Sequence, residues 1–169
     1  MKSRVLLTVA SLLVCFAFTG NAFAAPGTSP QGKEVPIETA AVKLVADVKD
    51  GGYQLVTTEE LKKWIDAGKA MTIISTLPAD EDKALGIIAS AVNGFMPKTE
   101  KELTPVDKNA LLKAAGPDKG KTIVLYCGFV ACRRSHIGAK ILVENGFSNV
   151  YRYPGGIIAW QDAGYQLTK

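Results

Sequence analysis

Along the chain, short unbroken apolar runs alternate with stretches in which apolar residues recur at helical spacing. The cleanest run, Ile123 to Tyr126, has no polar position and predicts a strand buried on both faces of a parallel sheet. Residues 53–56, 71–74, 89–92 and 150–153 supply four further strand candidates. Between them the pattern changes to a helical one. Thr57-Thr58-Glu59-Glu60 starts a helix that runs through Leu61, Trp64 and Ile65 to Gly68, and Thr104-Pro105 starts another that Gly116 closes. Ser135 caps a third, with Ile137, Ile141 and Leu142 on one face and Asn145-Gly146 at its end, while Gly155-Gly156 turns the chain into a last short helix containing Trp160. Residues 40–48 predict a short helix and residues 80–83 no more than a solvated turn. Strands alternating with helices and no tight hairpin signal imply an α/β chain, its parallel sheet covered on both faces.

The two ends of the pattern divide the chain. Lys2 and Arg4, an apolar run over residues 5–18 and the small residues of Ala22-Phe23-Ala24 read as a secretory signal peptide, residues 1–24. The run is too short to span a bilayer, so the expectation is release into an oxidising compartment, a bacterial periplasm, with no membrane attachment after cleavage. Residues 25–50, rich at first in Pro, Gly, Ser and Thr, are expected to be a flexible lead-in containing the short helix. Residues 51–169 form the domain. Loss of Lys2 and Arg4 lowers the net charge from +4 to +2, which gives no reason to expect a nucleic acid or an anionic membrane as partner.

The chemistry concentrates where the central strand ends. Cys127 follows Tyr126 directly, and Gly128, Phe129, Val130, Ala131, Cys132, Arg133 and Arg134 lead from it to the next helix. In a parallel sheet ligands bind beyond the carboxyl ends of the strands, and a loop returning to a helix N-terminus gathers backbone N–H groups that favour an anion. Cys127 is therefore expected to ionise easily and act as a nucleophile, with residues 128–134 cradling the substrate; its bland alternative is an inert packed thiol. Cys132 has three readings: packing, a second sulfur-handling thiol, or a redox partner closing a disulfide with Cys127. Arg133 and Arg134 are both candidates to face the substrate. His136, the one histidine, lies too irregularly placed against the two cysteines for a zinc site and is expected to add modestly to the positive potential of the loop. No metal and no cofactor are expected.

The passage from Val124 to Ala139 and the closing Val150-Tyr151-Arg152-Tyr153-Pro154-Gly155-Gly156-Ile157-Ile158-Ala159-Trp160, in that order and spacing, resemble the single-domain rhodaneses, a sulfurtransferase family. The resemblance covers residues 53–169. It implies the rhodanese-like fold, a mainly parallel five-stranded sheet with helices on both faces. It also implies a sulfurtransferase of the thiosulfate type, which with the signal peptide would be secreted, in which Cys127 takes sulfane sulfur from a small anionic donor as a persulfide and passes it to a thiol or other nucleophile. Two departures stand out. The loop is longer than the family's usual four residues between cysteine and arginine, and its Cys-x5-Arg spacing matches that of related phosphatases. Ser75 stands where an acidic residue is usual, and Ile87 where a His-x-x-Gly-Ala-x-Asn motif begins, although Ala91-Val92-Asn93 keeps its end. Alternative readings are a non-catalytic carrier of sulfur or of a selenium, tellurium or arsenic oxyanion, and a Cys127/Cys132 thiol-disulfide switch.

Overall fold

The computed structural model describes residues 34–169; the expected signal peptide and the first part of the lead-in lie outside the described residues. The elements are α1 (Glu34–Gly51), β1 (Gln54–Leu55), α2 (Thr58–Asp66), β2 (Met71–Ser75), α3 (Ala79–Leu85), β3 (Val92–Asn93), α4 (Pro105–Ala115), β4 (Thr122–Tyr126), α5 (Arg134–Glu144), β5 (Val150–Tyr153) and α6 (Gly156–Asp162), with a 3-10 turn at Glu100–Glu102. The five strands form one parallel sheet in the order β1-β5-β4-β2-β3, so β4 lies at its centre.

The sheet divides the apolar interior in two. Ile123 and Leu125 of β4 pack with Leu111 of α4 and Ile137, Ile141 and Leu142 of α5. Val124 and Tyr126 turn the other way, toward Leu61 of α2 and Ile157 and Trp160 of α6. A strand with apolar side chains on both faces needs both covered, which is why residues 123–126 carry no polar position. The cap of α4 follows its sequence: Thr104 Oγ1 accepts from the Asp107 N–H at 3.2 Å and the Asp107 carboxylate accepts from the Thr104 N–H at 3.0 Å.

Three elements differ from the sequence reading. The lead-in is helical from Glu34, and α1 runs 18 residues to Gly51, delivering a buried Asp47 into the domain. Residues 79–85 form a full helix and not a solvated turn, because Asp82 folds back into the interior. The strand expected over 89–92 is shifted to Val92–Asn93. No helix among the described residues is long and apolar enough to cross a membrane.

Candidate active site

Cys127 follows β4 without a break, at the carboxyl edge of the sheet. The loop it opens is fixed from the far side by the start of α6: the Ile157 N–H donates to the Cys127 carbonyl at 2.9 Å and the Ile158 N–H to the Gly128 carbonyl at 3.1 Å. That approach requires glycine at 156. Its φ is +63°, and a Cβ there would lie 2.3 Å from the Cys127 carbonyl oxygen. The Gly-Gly pattern in the sequence is therefore a loop-docking device.

The two thiols have opposite surroundings. Cys127 is fully buried, with Sγ 3.2 Å from the Cys132 carbonyl oxygen and 3.1 Å from Ser135 Oγ. Burial pushes this thiol well above its ordinary value, and the neighbouring Cys132 sulfur pushes it further, against the Ser135 hydroxyl and N–H. Cys132 is half-buried and lines an open cavity. Its thiol is lowered to about 6, first by the hydrogen bond from Cys127, then, against burial, by the N–H groups of Arg134 and Gly128 and the Arg134 charge. Burial thus works against the easy ionisation expected of Cys127, while Cys132 is the thiol that faces the cavity. Both cysteines are free thiols.

The cavity has a volume of about 530 Å³ and is lined by Gly128, Phe129, Ala131, Cys132, Arg133 and Arg134 of the loop, with Lys43, Lys98, Leu77 and Glu81. Four cations against one acid make its mouth attractive to anions. Val130 is not part of the lining; its carbonyl turns inward, and its side chain and that of Phe129 are exposed. Both arginines reach the cavity, in different ways. Arg134 is buried, donates to the Met96 carbonyl and stacks 5.2 Å from the Phe95 ring. Arg133 is ion-paired at 3.4 Å with both Asp47 and Glu100.

The cation beneath the loop is one that the sequence reading passed over. Arg152 of β5 is fully buried and donates to the carbonyls of Cys132 at 2.9 Å and Val130 at 3.2 Å, to Ser135 Oγ at 3.1 Å, to Asp47 at 3.2 Å and to Tyr53 Oη at 3.3 Å. A guanidinium with its donors spread over five partners ties α1, β1, β5, the loop and α5 together. The signal was present: an arginine inside a strand that the pattern buries on both faces needs an acid and carbonyls around it. Asp47 gave no such signal. Burial opposes its ionisation, yet the charge that His136 carries when protonated at low pH, the Lys43 hydrogen bond and the Arg133 charge together hold its carboxyl below the ordinary value.

Ser135 does not cap α5. Its hydroxyl bridges Cys127 and Arg152, and the capping position falls to Arg133, without a side-chain bond. His136 is fully buried with Nδ1 2.9 Å from Tyr53 Oη, and burial lowers its pKa, so it stays neutral near pH 7 and adds no charge to the loop. At the neighbouring strand end Ser75 Oγ donates to Asp82 at 2.6 Å, and Asn93 Nδ2 donates to the same carboxylate at 2.7 Å. The acid missing from position 75 is thus supplied from α3.

Comparison with known proteins agrees with this geometry. The model of the rhodanese-like domain family matches residues 57–163. No curated protein matches the chain by sequence. Among solved structures, the polysulfide-sulfur transferase homodimer of Wolinella succinogenes is 23% identical with a TM-score of 0.56, covering 79% of this chain and 90% of that one. A thiosulfate sulfurtransferase of Pseudomonas aeruginosa is 20% identical with a TM-score of 0.57, covering 76% of this chain and 22% of that one. A protein from Anabaena is 21% identical with a TM-score of 0.52, covering 66% of this chain and 88% of that one. With a family match spanning most of the described residues, and a parallel five-stranded sheet carrying a cysteine loop at the end of its central strand, the chain belongs to the rhodanese-like domain family.

Proposed function

We propose that the protein is a sulfurtransferase that takes sulfane sulfur from a small anion onto the Cys127/Cys132 pair, with the first attack made by Cys132. The observation that carries the order of events is the placement of the two thiols: Cys132 is half-buried and lines the cationic cavity, while Cys127 is fully buried beneath the loop. The thiolate, and not the thiol, is the nucleophile.

For thiosulfate, the Cys132 thiolate forms a bond to the outer sulfur as the sulfur–sulfur bond of the donor breaks, and its electron pair leaves with sulfite. Cys132 then carries a persulfide anion. The Cys127 sulfur then attacks the outer sulfur as its proton passes to the departing Cys132 sulfur, so the persulfide anion moves inward onto Cys127 and Cys132 is returned as a thiol. An external thiolate removes it by the same displacement. Lys43, Lys98, Arg133 and Arg134 hold the negative charge of donor and persulfide near the cavity. The protein acts after export to the periplasm, a reading supported by Lys2, Arg4, the apolar run and Ala22-Phe23-Ala24. An amino terminus at Ala25 in the exported protein is the expected check.

Intact-mass analysis after incubation with thiosulfate separates the steps. Wild type and Cys127→Ser are expected to gain one sulfur atom, and Cys132→Ser none. Uptake by Cys132→Ser but not by Cys127→Ser would reverse the order and keep the chemistry. Absence of uptake by wild type would end the sulfurtransferase reading. A second reading, the thiol-disulfide switch, is favoured by two free thiols in one loop, with Cys127 Sγ 3.2 Å from the Cys132 carbonyl oxygen. It predicts a product two hydrogens lighter with mild oxidant and no sulfur gain with thiosulfate.

A further inference from the structure

Among the described residues one buried polar side-chain atom has no hydrogen-bond partner, Nε2 of His136. The ring is fully buried and is oriented by the contact of Nδ1 with Tyr53 Oη. Nε2 is aimed at two carboxylates from separate segments, 3.5 Å from Asp50 Oδ2 near the end of α1 and 3.7 Å from Glu100 Oε1 in the 3-10 turn. All three ligand atoms lie within 4.8 Å of one another. Separations of this size are too long for good hydrogen bonds, which for nitrogen and oxygen close up to roughly 2.7–3.2 Å. They are close to what a shared ion requires. With metal–ligand bonds of about 2.0–2.2 Å, the donors of a tetrahedral site stand about 3.3–3.6 Å apart.

We infer that Asp50, Glu100 and His136 form a binding site for a divalent transition-metal cation of the zinc type, with Nε2 and one oxygen of each carboxylate as protein ligands and a remaining position open to water. Two carboxylates and a neutral imidazole match the charge of such an ion, and the nitrogen selects against magnesium and calcium. The ring is oriented for this role as metal-bound imidazoles usually are, with Nδ1 held 2.9 Å from Tyr53 Oη, which also accepts from Arg152. Lys140 Nζ lies 2.8 Å from Asp50 Oδ2 and Arg133 lies 3.4 Å from Glu100. These cations neutralise the carboxylates and keep them in place. The Lys140 and Arg133 side chains are 25% and 34% exposed, so each can swing into water when an ion takes its oxygen. The site uses neither thiol. Among the described residues Cys127 and Cys132 do not converge with His136.

Titration of the purified protein with Co²⁺, and with Zn²⁺ in competition, tests the site. Wild type and a Cys127→Ser/Cys132→Ser double variant are expected to bind one ion with equal affinity. The spectrum should show weak d–d bands and no thiolate charge-transfer band. Glu100→Gln and Asp50→Asn, both at exposed carboxylates, should each weaken binding at least about tenfold. His136→Gln should abolish it, with circular dichroism and the exposed-carboxylate variants separating ligand loss from misfolding. A charge-transfer band, loss of binding in the double cysteine variant, indifference to Glu100→Gln, or no uptake by wild type would each overturn the assignment.

Discussion

The thiol loop has two sides built on opposite principles. Outward, Lys43, Lys98, Arg133 and Arg134 line an open cavity with one acid among them. Inward, Arg152 is saturated with acceptors, and Asp47, Tyr53 and Ser135 are drawn around it. The outer charges are available to a ligand because nothing in the fold consumes all of them. The inner charge is unavailable because the fold consumes it completely, and its product is loop shape. Positive residues near a cysteine are therefore not interchangeable: some attract the substrate, and one builds the place where it binds.

The largest effect should come from breaking the inner side. Arg152→Leu leaves Asp47 buried without its main guanidinium partner and frees two loop carbonyls, so a loss of about 3–5 kcal/mol in unfolding free energy is expected by urea denaturation. Arg152→Lys should recover only part of it, since one ammonium cannot span five partners. A loss below about 1 kcal/mol for Arg152→Leu would mean that the network is peripheral.

Next comes the dock between loop and α6. Gly156→Ala places a methyl against the Cys127 carbonyl at a positive φ, and about 1–3 kcal/mol of destabilisation is expected. Gly146→Ala provides the control, because φ is +82° there with no atom within 4 Å. Equal losses in the two variants would show that backbone strain alone operates and that the close approach is immaterial.

The thiol asymmetry sets a third test, in pH. With Cys132 lowered to about 6 and the buried Cys127 raised, the pair is expected to give up its first proton at Cys132 as pH rises through about 6. Alkylation at Cys132, read by peptide mass, should therefore rise roughly tenfold between pH 5 and pH 7, with Cys127 unreactive over that range. Cys132→Ser should abolish the low-pH step. Alkylation at Cys127 first would invert the comparison.

The smallest effect belongs to the outer rim. Lys98→Gln should leave stability unchanged and weaken anion binding by less than about 1 kcal/mol, a difference that shrinks as salt is added. A salt-insensitive loss would point to a structural role.

Much of the sheet was legible because its periodicity is short and local. Residues 123–126 could be read as a central strand from their own side chains, as could the turn into α6 from Gly155-Gly156 and the cap of α4 from Thr104-Pro105, but the docking of that glycine turn on the Cys127 loop could not. Errors arose where a polar residue is buried by something far away in sequence. Asp82 looks solvated until Ser75 and Asn93 close on it, and α1 looks like a lead-in until Asp47 meets Arg152, 105 positions later. Ser135, which fits a helix cap locally, is taken by Cys127 and Arg152 instead.

By itself, then, the sequence determined the alternation of strands and helices, the parallel sheet and the position of a cysteine loop beyond β4, since each follows from neighbouring residues. Tertiary structure alone decided which thiol is buried and which faces the cavity, which arginine holds the loop and where the histidine points. Those outcomes depend on the distance of each group from water and from opposite charge, and α1, β5 and α5 fix these distances only when they are packed together.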